Sequence, residues 1–331
     1  MLSPSKLIGS KLSHLRRFCP CIKASAPSFC IYKVLPREHR VMSAAKKSQG
    51  SLVEEALVQY GDTSMLDLID IGINLADPSF DEDRDAVTER AKKAGVSACI
   101  ITGSSLRSSM RARDICDTSP GASLYFTAGV HPHEAKSCDG NTLSALRDLA
   151  GHPRCCAIGE CGLDFNRNFS PPQVQEQWFA EQVKLANELQ KPLFLHCRDA
   201  AERFTAILRE EELSVPAVAH CFTGSREELA EYCRMGLHIG ITGWVCDDRA
   251  DRGGAELAQL LHLIPPDKLM IETDGPYLVP RTIKPAKARP RRNEPALLPY
   301  VLSAVADALA TDKAQVAAQT STNARRFFGL E

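Results

Sequence analysis

The sequence predicts an α/β protein of the (β/α)8 class, a TIM-type barrel. Residues 65–331 alternate eight short apolar runs with longer amphipathic stretches, and polar side chains collect where the apolar runs end. Strands separated by helices pair in parallel, and parallel strands covered on both faces are apolar almost throughout. Eight such units close into a barrel, whose strands all end at one mouth.

The eight predicted strands are Leu66–Gly72, Val96–Thr102, Leu124–His131, Cys155–Leu163, Pro192–Arg198, Ala217–Phe222, Leu237–Thr242 and Leu269–Asp274. The predicted helices include Gln173–Gln190, Arg226–Met235, Ala296–Leu309 and Asp312–Phe328. Ser225 is a suitable N-cap with Glu228 three residues later, which is the capping-box pattern. An open doubly wound sheet is the alternative, but it would need a glycine-rich turn after the first strand, and residues 70–75 do not supply one.

The bulk composition fits one globular domain of this kind. The chain has 331 residues, of which 44% are hydrophobic and 24% charged. It contains no run of about 18 apolar residues, so no membrane span is predicted. The thirteen cysteines form no CxxC pair and many lie in apolar runs, so we interpret them as reduced, buried thiols of an intracellular protein rather than as zinc ligands.

Residues 1–64 are predicted to be an N-terminal extension. Residues 1–37 contain seven Lys or Arg, no Asp or Glu, and many Ser, a composition typical of a mitochondrial or plastid transit peptide. The alternatives are a disordered tail, or translation that begins at Met42, which would leave the protein cytoplasmic or nuclear. Residues 43–64 are predicted to be a linker with a short helical stretch over Leu52–Val58.

Four predicted strands end in side chains that bind metals, namely Glu160, His196, His220 and Asp274. Because strand ends meet at the barrel mouth, we expect these groups to converge on one or two divalent ions. Oxygen and nitrogen donors suit Mg²⁺, Mn²⁺ or Zn²⁺. Strand alternation then turns the neighbouring Cys161, Cys197 and Cys221 outward, away from the ions.

Two further histidines stand in a His-Pro-His turn at the end of the third strand. His131 and His133 are expected either to contact a substrate phosphate or to stiffen the turn. Glu272 lies deeper in the barrel than Asp274 and is interpreted as a buried structural acid.

Seven ordered motifs closely resemble those of the TatD-type metal-dependent deoxyribonucleases, a branch of the amidohydrolase-like barrels. They are Gly129–His133, Ala157–Asn168, His196–Ala200, Ala219–Gly224, Ile239–Cys246, Ile271–Tyr277 and Arg291–Pro295, and the likeness covers roughly residues 66–330. The resemblance implies a DNase, with 3′→5′ exonuclease activity on single strands as the expectation. It also implies that Glu160 is shared between metals, that His196 and His220 hold one ion, and that Asp274 ligates the other.

One position departs from the wider superfamily. Many related barrels have His-x-His at the end of the first strand, whereas this chain has Gly72-Ile73-Asn74, as the branch closest to TatD does. An amide oxygen binds transition metals less well than imidazole, so one ion is expected to bind weakly, and Mg²⁺ is the expected metal.

The expected reaction is metal-assisted hydrolysis, with Asp274 and Glu160 as the catalytic residues and Asp274 as the general base. The segment Arg281–Arg292 carries six basic residues and no acid, so Arg289, Arg291 and Arg292 are expected to bind substrate phosphates, together with Arg198. The alternative is a solvated loop. Trp244 and Tyr277 are expected either to stack on bases or to pack in the fold.

Two other functions stay open at this point. Barrels of the same superfamily hydrolyse C–N or ester bonds, and the chain could be a barrel that binds partners without catalysis. The basic segment favours DNA over a small neutral substrate, with RNA as an alternative, and intact donors on four strands favour an enzyme.

Overall fold

The computed structural model describes residues 47–63, 65–119 and 121–330, and it confirms the predicted barrel. Eight parallel strands pair in the order in which they occur along the chain. They are β1 Leu68–Ile73, β2 Val96–Ile101, β3 Leu124–Ala128, β4 Cys155–Asp164, β5 Leu193–Arg198, β6 Ala217–Ala219, β7 His238–Ile241 and β8 Leu269–Ile271. Backbone hydrogen bonds from Asn74 N to Gly275 O and from Asp274 N to Gly72 O, both 2.8 Å, join the ends of β1 and β8 and close the ring.

Helices connect and cover these strands. Within the described residues they are α1 Gln49–Tyr60, α2 Arg84–Lys93, α3 Leu106–Thr118, α4 Thr142–Ala150, α5 Pro172–Leu189, α6 Ala201–Glu210, α7 Arg226–Arg234, α8 Gly254–Leu260, α9 Leu298–Ala308 and α10 Lys313–Phe328. The predicted capping box at α7 is present, with Ser225 and Glu228 each bonding the backbone of the other. None of these helices is long and apolar enough to cross a membrane.

Strands β6 and β8 end earlier than the sequence predicts. The chain turns at Cys221 and Asp274, whose φ angles are 45° and 52°. A residue in this left-handed region cannot continue an extended strand. Asp274 therefore lies in the turn after β8 rather than on the strand face, whereas Glu272 is fully buried.

The core has two apolar layers. The larger one lies between the strands and the surrounding helices, and Cys161 is packed in it. The smaller one fills the barrel interior, where Ile71, Phe194 and Met270 are packed with Phe327 and Phe328 of α10. The two phenylalanines close the end opposite the mouth, so only the mouth is left for polar chemistry.

The segment predicted to be a linker contains a packed helix. Helix α1 extends beyond the predicted Leu52–Val58, and its Val53 and Ala56 are buried against Ile283 and Leu297. The Tyr300 hydroxyl also donates to Ala56 O at 2.7 Å. Helix α1 therefore belongs to the same compact unit as the barrel. The predicted transit peptide lies outside the described residues.

Candidate active site

One carboxylate oxygen is the centre of the polar cluster at the barrel mouth. Glu160 Oε1 lies 2.8 Å from His220 Nε2, 3.0 Å from His196 Nδ1 and 3.3 Å from His131 Nε2. Strands β4 and β5 and the turns after β3 and β6 thus bring their side chains to one point. Glu160 and His220 are buried, and His196 and His131 are mostly buried.

Two glycines of β4 allow this approach. Gly159 and Gly162 have φ angles of 134° and 140°. A Cβ atom at Gly159 would lie 2.2 Å from Phe194 O, and one at Gly162 would lie 1.9 Å from His196 O. The pairing of β4 with β5 shifts register between Gly159 and Cys161, so Glu160 lies at the irregularity. Such bulges re-aim a side chain, and here the re-aimed side chain is the central carboxylate.

Asp164, at the end of β4, is a further acidic residue at the barrel mouth. It is not among the site residues predicted from the sequence. Its Oδ2 atom lies 2.7 Å from His133 Nε2 and 3.6 Å from His196 Nε2. Its Oδ1 atom accepts the backbone N–H groups of Asn166 and Arg167. Asp164 therefore holds His133, and the signal that could have found it is an acid four residues after Glu160 on the same strand.

Glu272 is predicted to be a structural acid, and it also contacts a histidine of the cluster. Its Oε1 accepts Cys221 N at 2.6 Å and its Oε2 lies 3.4 Å from His220 Nδ1. A carboxylate behind a histidine fixes the tautomer and the ring orientation of that histidine. With a metal bound, a proton on Nδ1 would leave the Nε2 lone pair of His220 available as a ligand.

Asp274 lies at the opposite side of the mouth from β4. Its Oδ1 accepts the side-chain N–H of Asn74 at 3.0 Å. Asn74 thus takes part through its amide hydrogen, which orients the Asp274 carboxylate.

The contacts within the cluster shift the pKa values of its side chains in different directions. Burial opposes ionisation of Glu160, but the nearby His131 and His220 outweigh it and hold the pKa of Glu160 well below its usual range. Burial lowers the pKa of His131 to about 4, whereas Glu160 and Glu272 raise the pKa of His220 well above its usual value against the effect of burial. Burial, with Glu160 nearby, raises the pKa of Asp274 to about 7.

The donor set fits a divalent metal. One ligand atom from each of His131, Glu160 and His196 lies within 4.8 Å of the others. The buried His196 Nε2 atom has no hydrogen-bond partner. Imidazole and carboxylate without a nearby pair of cysteine thiolates are typical of hydrolytic metal sites. His131 differs from the others, because its Nδ1 accepts His133 N at 3.0 Å and the neutral ring must then carry its proton on Nε2.

The cluster opens into a cleft of about 840 Å³. The predicted site residues that line it are Glu160, His196, His220, Asp274, His131, His133 and Arg198. Trp244 and Tyr277 line it too, but Trp244 is half-buried and packs against the outer core layer. The ten cysteines that the structure describes are unpaired.

The three arginines of the basic segment that are predicted to bind phosphate, Arg289, Arg291 and Arg292, are not among the residues that line the cleft. The Arg292 guanidinium is mostly buried and pairs with Asp83 at 2.8 Å and Glu294 at 3.4 Å. The Arg289 side chain donates to two backbone carbonyls of its own loop. Arg291 is exposed. Two of the three predicted phosphate-binding side chains are thus engaged inside the fold.

Comparison with known proteins identifies close relatives. Residues 69–329 match the family described as TatD related DNase. Proteins named 3′-5′ ssDNA/RNA exonuclease TatD from Escherichia fergusonii and Rahnella sp. are 49% and 50% identical over 264 residues, which is 80% of this chain and 99% and 98% of theirs. The crystal structure of a TatD family hydrolase from Entamoeba histolytica superposes with a TM-score of 0.72 at 26% identity, covering 80% of this chain and 99% of that one.

Proposed function

Because this chain belongs to the TatD-related DNase family, we propose that it is a divalent-metal-dependent nuclease that hydrolyses phosphodiester bonds of DNA. It removes nucleotides from the 3′ ends of single strands, with RNA as a second substrate, as the names of its relatives suggest. The observation that carries the proposal is the convergence of three imidazoles on Glu160 at the floor of an open cleft.

Glu160, His196, His220 and Asp274 would hold the metal. When bound, a divalent ion supplies positive charge that neutralises phosphate oxygens and makes nearby water more acidic. Oxygen donors from two carboxylates and an open, water-accessible cleft favour Mg²⁺, with Mn²⁺ or Zn²⁺ as substitutes. Glu272 and Asp164 act through the rings that they hold, and they keep His220 and His133 in place.

The chain's own groups would handle the proton and the phosphate. Asp274 accepts the proton of the attacking water, and Asn74 keeps its carboxylate in position for that transfer. His131, with its proton on Nε2, donates to a phosphate oxygen rather than acting as a ligand. Arg198 on the cleft wall supplies positive charge for the phosphate backbone.

Degradation of a 5′-labelled single-stranded DNA oligonucleotide by the full-length chain tests the proposal. We expect stepwise shortening from the 3′ end, loss of activity after chelation, and recovery with millimolar Mg²⁺ or Mn²⁺. Glu160→Gln should lower kcat/KM by more than about 100-fold. The exposed Glu256→Gln on α8 is the matched control. Full activity in chelator, or in folded Glu160→Gln, would refute the assignment.

For residues 1–41 we propose a targeting role, on the strength of their basic, acid-poor and Ser-rich composition. A fluorescent reporter fused after residue 41 should enter an organelle. The matched control replaces the Lys and Arg residues of that segment with Gln and should stay in the cytosol. Cytosolic fluorescence from the unmodified fusion would count against the targeting role.

A further inference from the structure

Tyr277 presents an aromatic ring to the cleft on the side of β8. The residue is 57% exposed and lines the cleft. Its backbone is held firmly, because Tyr277 N donates to Asp274 O at 3.1 Å, and Asn293 donates to both Pro276 O and Leu278 O. Because the turn is already rigid, a ligand that covers this large exposed ring causes little loss of conformational entropy.

Phe169 presents a second ring beyond the end of β4. The residue is 55% exposed, and one edge of its ring packs against His133 at a centroid distance of 4.7 Å and an interplanar angle of 75°. The turn around it is pinned, because Asn168 Nδ2 donates to Phe165 O at 2.7 Å and Ser170 Oγ donates to His133 O at 2.9 Å. The rest of the Phe169 ring is left open to solvent.

The two rings lie on opposite sides of the mouth. In a closed ring of eight strands, β4 and β8 are four places apart, and Phe169 and Tyr277 follow those two strands. The cluster around Glu160 lies between them. Five large hydrophobic residues are strongly exposed in the described part of the chain, and the only aromatic ones among them are this pair. Tyr277 lines the cleft itself, and Phe169 packs on His133, which lines it.

We propose that Phe169 and Tyr277 are stacking platforms for the two nucleobases that flank the scissile phosphodiester. This inference rests on the proposed nuclease function and deepens it. A strand that stacks on both rings would cross the mouth, where Glu160 lines the cleft. Stacking tolerates every base, so the site selects unpaired strands of any sequence, and bases already stacked in a duplex cannot use it.

Abasic substrates test the platforms. The kcat/KM of the full-length chain is measured on a single-stranded oligonucleotide and on the same oligonucleotide with abasic sites at its last two 3′ positions. Each stacked base contributes a factor of about 5 or more, so the unmodified protein should prefer the intact oligonucleotide by at least about 25-fold. Phe169→Ala and Tyr277→Ala should each lose activity on the intact oligonucleotide and almost none on the abasic one.

Conservative and remote variants complete the test. Phe169→Tyr and Tyr277→Phe keep a ring and should keep the preference, and Met110→Ala removes an exposed hydrophobic side chain on α3 and should change nothing. Alanine variants that lose the same factor on both oligonucleotides would overturn the platforms while leaving the nuclease function in place. Failure of the unmodified protein to degrade the intact oligonucleotide would overturn both.

Discussion

At the scale of single residues, Asn74 shows how a position can change role without leaving the site. Related barrels with imidazole at this position would use it as a ligand, whereas here the amide donates a hydrogen bond to Asp274. The Asn74 side chain therefore orients an acid of the site. The weakly bound ion that is expected from an amide at this position remains a prediction.

Asn74→Ala should lower kcat by about 10- to 100-fold with little change in KM, because Asp274 loses the donor that orients it. Steady-state kinetics on a single-stranded oligonucleotide measure the split. The matched control is Asn141→Ala at the start of α4, whose side chain makes no capping bond. A rise in KM with kcat preserved would show instead that Asn74 contacts substrate.

The neighbouring arginines 291 and 292 differ sharply in their surroundings. Arg292 pairs with Asp83 and Glu294 and lies over the Phe80 ring at 4.2 Å, whereas Arg291 is exposed. Arg90 also pairs with both acids, at 3.3 Å from Asp83 and 2.6 Å from Glu294. Removing Arg292 should therefore cost somewhat less than the roughly 3–5 kcal/mol of leaving a buried charge without any partner.

Arg292→Gln should therefore lower the free energy of unfolding by about 2–4 kcal/mol, and Arg291→Gln should leave it within about 0.5 kcal/mol. Urea unfolding of the two variants makes the comparison, and each is the control for the other. Equal stability would mean that Arg292 is free to bind phosphate, as the sequence alone predicts.

At the scale of secondary-structure elements, β4 supplies the central carboxylate of the site, and α1 packs on the loop that follows β8. In β4, glycines on both sides of Glu160 permit contacts that a side chain would block, so this strand supplies the central carboxylate. Helix α1 lies before the region that matches the family, yet it is packed on the loop that follows β8. The Gln49 side chain accepts Arg291 N at 2.9 Å and donates to Arg292 O at 2.7 Å, which ties the helix to that loop.

Two valines on α1 test whether this helix is part of the folded unit. Val53 is fully buried and Val58 is 84% exposed. Val53→Asp should reduce the free energy of unfolding by at least about 2 kcal/mol, because a charge replaces a buried apolar side chain. Val58→Asp should leave it nearly unchanged. Thermal unfolding of both variants gives the comparison, and indistinguishable curves would restore the predicted linker.

At the scale of the whole molecule, the two ends of the barrel have opposite chemistry. The mouth holds charged and polar groups, and the other end is closed by α10, where the His238 ring packs against Phe327 at 4.7 Å. Burial, aided by Lys268 and opposed by Asp267, lowers the pKa of His238 to about 4. The folded chain thus keeps a neutral imidazole there.

The unfolded chain binds a proton at His238 near pH 6.5, whereas the folded chain does so only near pH 4. This residue therefore reduces stability progressively as the pH falls from about 6.5 to about 4, and it has no such effect at neutral pH. When the pH falls from 7.5 to 4.5, the free energy of unfolding should decrease in both proteins. The decrease should be smaller for His238→Phe than for the unmodified chain, by roughly 1 kcal/mol after allowance for partial exposure. Parallel urea titrations at the two pH values measure this difference. An equal loss in both proteins would mean that His238 is protonated while folded.

The sequence by itself determined the fold and the main donors. Eight apolar runs and their spacing specify a parallel barrel, because hydrophobic periodicity is a local property of the chain. The convergence of Glu160, His196 and His220 could be predicted because the fold brings strand ends to one mouth whatever the details of packing.

Only the tertiary structure decided the partners of these groups. The ion pairs of Arg292, the contact of Glu272 with His220 and the packing of α1 all join residues that are distant in the chain. Sequence spacing carries no information on such distances. A charged residue in a polar loop gives the same sequence pattern whether its side chain faces solvent, substrate or another loop. Only the burial of that side chain in the folded protein distinguishes these possibilities.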